Sequence, residues 1–398
     1  LALLGLVLTA GGARGAYQAG VLRRIGELPK LRDSASPFAI VTGASAGAIN
    51  GMFIAARSHN LGQGARDLAE MWSKLTVRKV FRADLFSLAL GNLRWMWDLS
   101  VGGIVGAGNV HSLFDTRPLN KFLSASLHLE GIKQAIASGE LFAAAVSATS
   151  YHSGRSFTFV QGRSGHPIWT RARRVTVCTE LAPEHVCASA AIPILFPPVR
   201  VRTSSASECY FGDGALRLVS PLSPAIRLGA TRILSIGVRC ASAAAALQQA
   251  EVATGESHQE SGDEPASPPI AQICGVFLNA LFLDHLDSDL DHLNRMNELV
   301  AAGAIAAAEP PTHPALRVVK PLTIAPSSDL ALVAAAFAHR MPRVIRYVMD
   351  GLGTPDAQSA DLMSYLLFDS SFTRALLDIG YHDAAGRIDE IEEFLFAA

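Results

Sequence analysis

The sequence predicts an α/β fold, and three stretches carry the prediction. Residues 3–8 are an unbroken apolar run that passes into Ala10-Gly-Gly-Ala-Arg-Gly-Ala-Tyr17 and then into helical spacing over residues 18–27. Residues 38–42 have a second buried-strand pattern, which breaks at Gly43 and continues as a small-residue helix over residues 46–56. Residues 141–150 and 156–160 read as two further strands, paired through a turn at His152-Ser153-Gly154. Strands, glycine breaks and helices in alternation are the pattern of a sheet layered with helices.

The opening apolar run is too short to cross a membrane and has no basic leader, so it reads as the first strand and not as a signal peptide. The loop after it presents backbone N–H groups at the start of a helix, which makes it an anion cradle. A phosphate-binding Walker loop needs Gly-Lys-Ser/Thr at its end, where this chain has Arg14-Gly15-Ala16. A dinucleotide fingerprint needs Gly-x-Gly-x-x-Gly, which the spacing of Gly11, Gly12 and Gly15 does not supply. The remaining use is an oxyanion hole, formed by N–H groups in the stretch Gly11, Gly12, Ala13, Arg14 and Gly15. Its partner is Ser45, set between Gly43 and Gly47 in a Gly-x-Ser-x-Gly turn from strand to helix. Such an elbow pushes a serine hydroxyl into the open as a nucleophile, and the following helix aims its N-terminal dipole at the same spot.

With both motifs in place, the sequence resembles the patatin-like phospholipases, in particular their bacterial branch. That family pairs a Gly-Gly-Gly-x-Arg-Gly oxyanion loop after the first strand with a Gly-x-Ser-x-Gly elbow after the second. This chain departs at the first of those glycines, which is Ala10; if that position required positive φ, alanine would cost about 1 kcal/mol. The resemblance covers most of residues 1–350. It implies a three-layer α/β/α sandwich with a central, mostly parallel sheet and C-terminal helices. It also implies a serine lipid acyl hydrolase of phospholipase A or esterase type, which cleaves a phospholipid or other lipid ester through an acyl-enzyme and needs no metal or cofactor.

Tyr210-Phe-Gly-Asp-Gly-Ala215 alone is a turn signal. The resemblance, extended by the helix-then-strand pattern of residues 221–238, implies that Asp213 is the base of a Ser45–Asp213 dyad. Residues 187–198, rich in small residues and proline, read as a kinked, apolar-walled helix end. The resemblance implies that this block borders the acyl pocket through Ala191, Ile192, Pro193 and Phe196. Arg14 is either a charge beside the oxyanion or head group, or an anchor for its loop. Two other readings stand beside the dyad: a Ser-His-Asp triad esterase using His339 or His382, and a catalytically silent membrane-associated scaffold.

Elsewhere, residues 61–84 read as one helix. Residues 85–99, dense in Leu, Trp and Phe, and the glycine-rich 101–108 are either a lid that touches membrane or simply core. Residues 241–270 have no apolar periodicity and read as a mobile surface excursion. The Asp- and His-rich residues 284–297 keep leucines at helical spacing, so their acids read as a solvated face and not as a metal site. Residues 316–324 read as a last strand, followed by a helix to residue 349, a break at 351–355 and a C-terminal extension, 356–398, of two amphipathic helices packed on the main domain, 1–350.

Composition sets the outer bounds. Hydrophobic residues at 49% and charged residues at 17% describe a packed globular chain, and a net charge of −1 disfavours a nucleic-acid partner despite the local cluster Arg78, Lys79, Arg82 and Arg94. Five cysteines without metal-finger spacing read as reduced, buried thiols. The expectation is a cytoplasmic protein attached peripherally to membranes through residues 85–108.

Overall fold

The structure, a computed structural model, describes residues 3–82, 112–203, 207–240, 285–303, 316–341 and 360–396, with isolated positions between 273 and 280 and at 346. The predicted flap at 85–108, the excursion at 241–270 and the break at 351–355 lie outside the described residues, as does Cys274.

The chain opens with β1 (Leu3–Leu8), a 3-10 turn at Gly12–Arg14 and α1 (Gly15–Gly26), then β2 (Ile40–Ala44) and α2 (Ala46–Ala55). Helices α3 (Leu61–Ser73), α4 (Val77–Val80), α5 (Arg117–Ser126) and α6 (Glu130–Ser138) precede strands β3 (Ala143–Ser150), β4 (Ser156–Gly162), β5 (Thr170–Arg171) and β6 (Arg174–Cys178). Next come α7 (Pro183–Ser189), β7 (Val199–Arg202), β8 (Glu208–Gly212), α8 (Ser223–Leu228) and β9 (Ala230–Ile236). The described elements end with α9 (His285–Ala301), β10 (Lys320–Ile324), α10 (Leu330–Ala336), α11 (Ala360–Leu366), α12 (Ser370–Gly386) and α13 (Ile388–Phe396).

One sheet in the order β10-β9-β1-β2-β3-β4-β6-β5 organises the molecule, with β8 joined to β3 and β7 to β8. Every pairing from β10 to β3 is parallel, whereas β3 meets both β4 and β8 antiparallel. The period of two along a strand sorts the side chains of β1: Leu4, Leu6 and Leu8 enter the core shared with α1, α2 and α12, and Val7 enters the core under α8 and α9. Helices therefore cover both faces, as a mostly parallel sheet requires. Helix α2 is buried along its whole length, which explains why its residues are small or apolar all round except Asn50.

Several boundaries differ from the sequence reading. The helix foreseen over 61–84 stops at Ser73, because Leu75 turns inward, and only a short turn, α4, follows. The last strand is shorter than 316–324, and the tail holds three helices among its described residues. These helices are integral: Tyr365, Leu366, Phe372, Leu376 and Leu377 belong to the same core cluster as β1 and α2. Asp369 caps α12 by accepting from the Ser371 amide at 2.9 Å. Cys178 is exposed, against the expectation of buried thiols, and none of the described cysteines forms a disulfide.

On α9, Leu286 and Leu293 face inward while Asp287 and Asp291 face solvent. Asp289 departs from the predicted solvated face: it accepts from the Leu222 amide at 2.8 Å, and burial raises its carboxyl above the usual range. No three His, Cys, Asp or Glu side chains converge among the described residues. No described helix is long and apolar enough to cross a membrane.

Candidate functional site

Parallel pairing brings the two glycine motifs to one edge of the sheet. Leu8 of β1 stands opposite Gly43 of β2, so the loop after β1 and the turn after β2 leave neighbouring strand ends on the same side. At that turn Ser45 has φ 54° and ψ −126°, a sparsely populated conformation that costs about 1–3 kcal/mol for a residue with a side chain. Close approach holds the strain in place. A Cβ on Gly43 would collide with the backbone of Gly47, and one on Gly47 would collide with the carbonyls of Leu8 and Thr9. Ser45 is further fixed through its amide, which donates to Ser189 Oγ at 2.9 Å, while Ser189 Oγ donates to the Ser147 carbonyl at 2.6 Å.

Asp213 arrives from the other direction. Strand β8 pairs antiparallel with the end of β3, Thr149 opposite Gly212, and this carries the next residue to Ser45. Three hydrogen bonds hold Asp213: its amide donates to the Ala191 carbonyl at 2.9 Å, Thr149 Oγ1 donates to its carbonyl at 2.8 Å, and the Ala215 amide donates to its Oδ1 at 2.9 Å. Its Oδ2 is buried without a hydrogen-bond partner of ordinary geometry. Burial pushes this carboxyl up to about 7, while the Ser45 side chain and the Ala215 amide pull it the other way. The Tyr151 phenol is also raised, by partial burial and then by the charge of Asp213.

The glycine-rich loop also reaches Ser45: Gly12 lines the same pocket, and a Cβ on Gly15 would stand 2.7 Å from that of Ala46. Gly12 has φ +54°, a conformation suited to glycine. The residues other than glycine with positive φ are Ser45, His128 and Ile194 among those described, so Ala10 sits without left-handed strain. Gly12 and Ala13 begin a 3-10 turn, and their amides have no backbone acceptor among the described residues; the amides of Arg14 and Gly15 are used, bonding to Gly11 and to Gly12 and Ala13. At the start of α2, the Ala46 amide is likewise open beside Ser45.

Arg14 resolves to the anchoring alternative. Its side chain is 3% exposed and turned toward α11, where Nε donates to Ser364 Oγ at 2.7 Å and Nη2 to Asp361 Oδ1 at 3.0 Å.

An apolar pocket of about 470 Å³, mouth included, opens beside Ser45 and Gly12. Trp72, Ile192, Phe196 and Phe368 are among its walls. Behind it Phe81 stacks on Phe114 at 4.6 Å and meets Phe196 and Phe368 at 5.7 and 6.2 Å. Of the four residues expected there, Ile192 and Phe196 line the pocket; Ala191 instead holds Asp213 through its carbonyl, and Pro193 is absent from the walls. A second pocket of about 430 Å³, lined by Thr42 and Ser147, does not include Ser45.

His339 and His382 are both exposed, and His382 Nδ1 contacts the Asp378 carbonyl at 2.7 Å within its own helix. The structure brings neither to Ser45 and Asp213. Ser189 and Thr149 gain their places from contacts distant in the chain, Ala46 from following Ser45 directly. Only Ala46 had a local signal, as the residue following the serine of the elbow.

Residues 6–226 match the family model described as "Patatin-like phospholipase". None of the curated proteins compared with the chain matches it. Among solved structures it is similar to VipD from Legionella pneumophila, with 13% identity, 95% of this chain and 67% of that chain covered, and a TM-score of 0.30. It is also similar to human GIVD cytosolic phospholipase A2, solved in complex with methyl gamma-linolenyl fluorophosphonate, with 12% identity, 99% and 59% covered, and a TM-score of 0.36. The chain thus spans about 59% of the length of that human protein.

Proposed function

Because the chain belongs to the patatin-like phospholipase family, we propose that it is a lipid acyl hydrolase that cleaves carboxylic esters with a Ser45–Asp213 dyad. The observation that carries this reading is the strained, glycine-walled Ser45, which lines an apolar pocket, beside a fully buried carboxyl whose Oδ2 has no hydrogen-bond partner of ordinary geometry. An ordinary carboxyl near 4 is a poor base for a serine hydroxyl, whereas one raised to about 7 is matched to neutral pH.

Ser45 Oγ attacks the ester carbonyl carbon as its proton passes to Asp213, and the carbonyl oxygen takes up the negative charge. The amides of Gly12, Ala13 and Ala46 stabilise that charge more strongly than they do the neutral ester, which lowers the barrier. Collapse breaks the bond to the alcohol, which leaves with the proton returned by Asp213. Water then gives its proton to Asp213 and attacks the acyl-enzyme; the fatty acid departs and Ser45 regains its hydrogen. The acyl chain lies in the pocket between Trp72 and Phe196, with the ester at its Ser45 end.

Hydrolysis of p-nitrophenyl esters of graded chain length and of a phospholipid, in chelator, tests the reading. Wild type is expected to turn over, and Ser45→Ala and Asp213→Asn to lose roughly 10⁴-fold in kcat. Folded Asp213→Asn protein that keeps its rate while Ser45→Ala is dead would place the base elsewhere. Inactive, folded wild type would favour a scaffold.

A further inference from the structure

The loop amides assigned above are held by a part of the chain that the family match at 6–226 does not reach. Arg14 closes that loop, and its guanidinium is enclosed by one short helix, α11. Ser364 Oγ accepts from Nε at 2.7 Å, Asp361 Oδ1 accepts from Nη2 at 3.0 Å, and the Tyr365 ring lies 4.4 Å below Cζ. Ser364 in turn donates to the Asp361 carbonyl at 2.6 Å, which fixes its lone pair toward Arg14. Gly12 is pressed on the same helix, since a Cβ there would stand 2.5 Å from the Tyr365 carbonyl oxygen. Two residues past the helix, Phe368 supplies a pocket wall. The 3-10 turn is therefore gripped at both ends, at Gly12 by contact and at Arg14 by charge.

We infer that residues 361–368 are a working part of the acyl-transfer site: Asp361 and Ser364 are positioning residues that, through Arg14, keep the Gly12 and Ala13 amides aimed beside Ser45. This rests on the acyl-hydrolase reading for its effect on rate, but not for its effect on the loop. A charge-assisted pair buried on one side is stronger than a neutral one, so Asp361→Asn loosens the grip while conserving shape. Donors that act on the oxyanion stabilise the transition state more than the bound ester, so their misalignment lowers kcat and leaves KM in place.

The test compares wild type with Asp361→Asn, Ser364→Ala and Arg14→Met in two measurements. On an ester, kcat is expected to fall about 10-fold in Asp361→Asn and about 100-fold in Arg14→Met, with KM within about twofold. Amide hydrogen exchange of residues 10–15 is expected to accelerate in the same order, while that of residues 46–55 stays unchanged. Unchanged exchange in folded Asp361→Asn and Ser364→Ala overturns the inference, whatever the activity. So does a loss of kcat accompanied by a parallel rise in KM and faster exchange throughout, the signature of general loosening. Faster exchange confined to the loop in the variants, together with a folded wild type that hydrolyses no ester, supports the grip and counts against the acyl-hydrolase reading alone.

Discussion

A carboxyl that is fully buried and only half hydrogen-bonded shapes both chemistry and stability, and Asp213 is such a group. Below about pH 4 the group is protonated in both the folded and unfolded chain, and the site contributes its full stability. Between its ordinary 3.8 and about 7 the unfolded chain has lost the proton while the folded chain keeps it, so folding stability falls as pH rises through this window. Above it, the folded protein holds an ionised carboxylate in a dry site. Asp213→Asn removes that burden. Urea unfolding at pH 5 and pH 8 is expected to show the variant gaining on wild type by a few kcal/mol between the two, about a third of the full effect being present already at pH 5. If Asp213 is the base proposed for Ser45, kcat/KM of wild type is expected to rise with pH along a limb centred near 7, because only the ionised form accepts the serine proton. A flat profile from pH 5 to 9, or no growth of the stability gap, would mean the carboxyl is ionised throughout.

Elements meet at the site through one buried polar network. Asn50 of α2 donates from Nδ2 to the Gly15 carbonyl and to Gln18 Oε1, each at 2.9 Å, and accepts from Trp72 Nε1 at 2.7 Å. Gln18 donates to the carbonyls of Thr9 and Ile236 at 2.9 and 3.1 Å. One amide pair thus ties the serine-bearing helix to α1, to the pocket wall on α3 and to the ends of β1 and β9. Asn50→Leu leaves Trp72 Nε1, Gln18 Oε1 and the Gly15 carbonyl short of partners, and chemical denaturation is expected to show a loss of about 3 kcal/mol. A loss under 1 kcal/mol would mean that water or repacking takes up the freed groups. The network also marks how far the sequence could be read. Strand, glycine break and helix were legible at 3–27 and 38–56, because apolar period and glycine placement are local. Ser45 was marked locally by its glycine-flanked strand-to-helix turn, whereas the Asp213 stretch read alone only as a turn and drew its proposed role from the family resemblance. The Asn50, Ser189 and Arg14 contacts were not, since their partners lie 22 to 350 positions away and nothing local announces them. The end of α3 at Ser73 was missed because Leu75 keeps helical spacing yet turns into the pocket.

At the scale of the molecule, the stretch recognisable as the family, 6–226, is smaller than the unit that folds. β1 carries the glycine-rich loop and lies inside the sheet, between β2 and β9, and β10 follows β9 at the edge. Both outer strands come after residue 226. Without them, β1 becomes an edge that presents a row of unpaired backbone groups along a long apolar strand. The face of α1 that meets α12 loses its cover as well, and Tyr17 loses the bond from its hydroxyl to Asp383 Oδ2 at 3.0 Å. The loop after β1 would lose α11 and the Arg14 grip. A chain ending at residue 226 is therefore expected to lack a cooperative urea transition and to aggregate, even though it contains both Ser45 and Asp213. A cooperative transition from that fragment, with exchange protection of β1 equal to that in the full chain, would show instead that β9, β10 and the C-terminal helices are an accessory layer and that the sheet behind Ser45 holds without them.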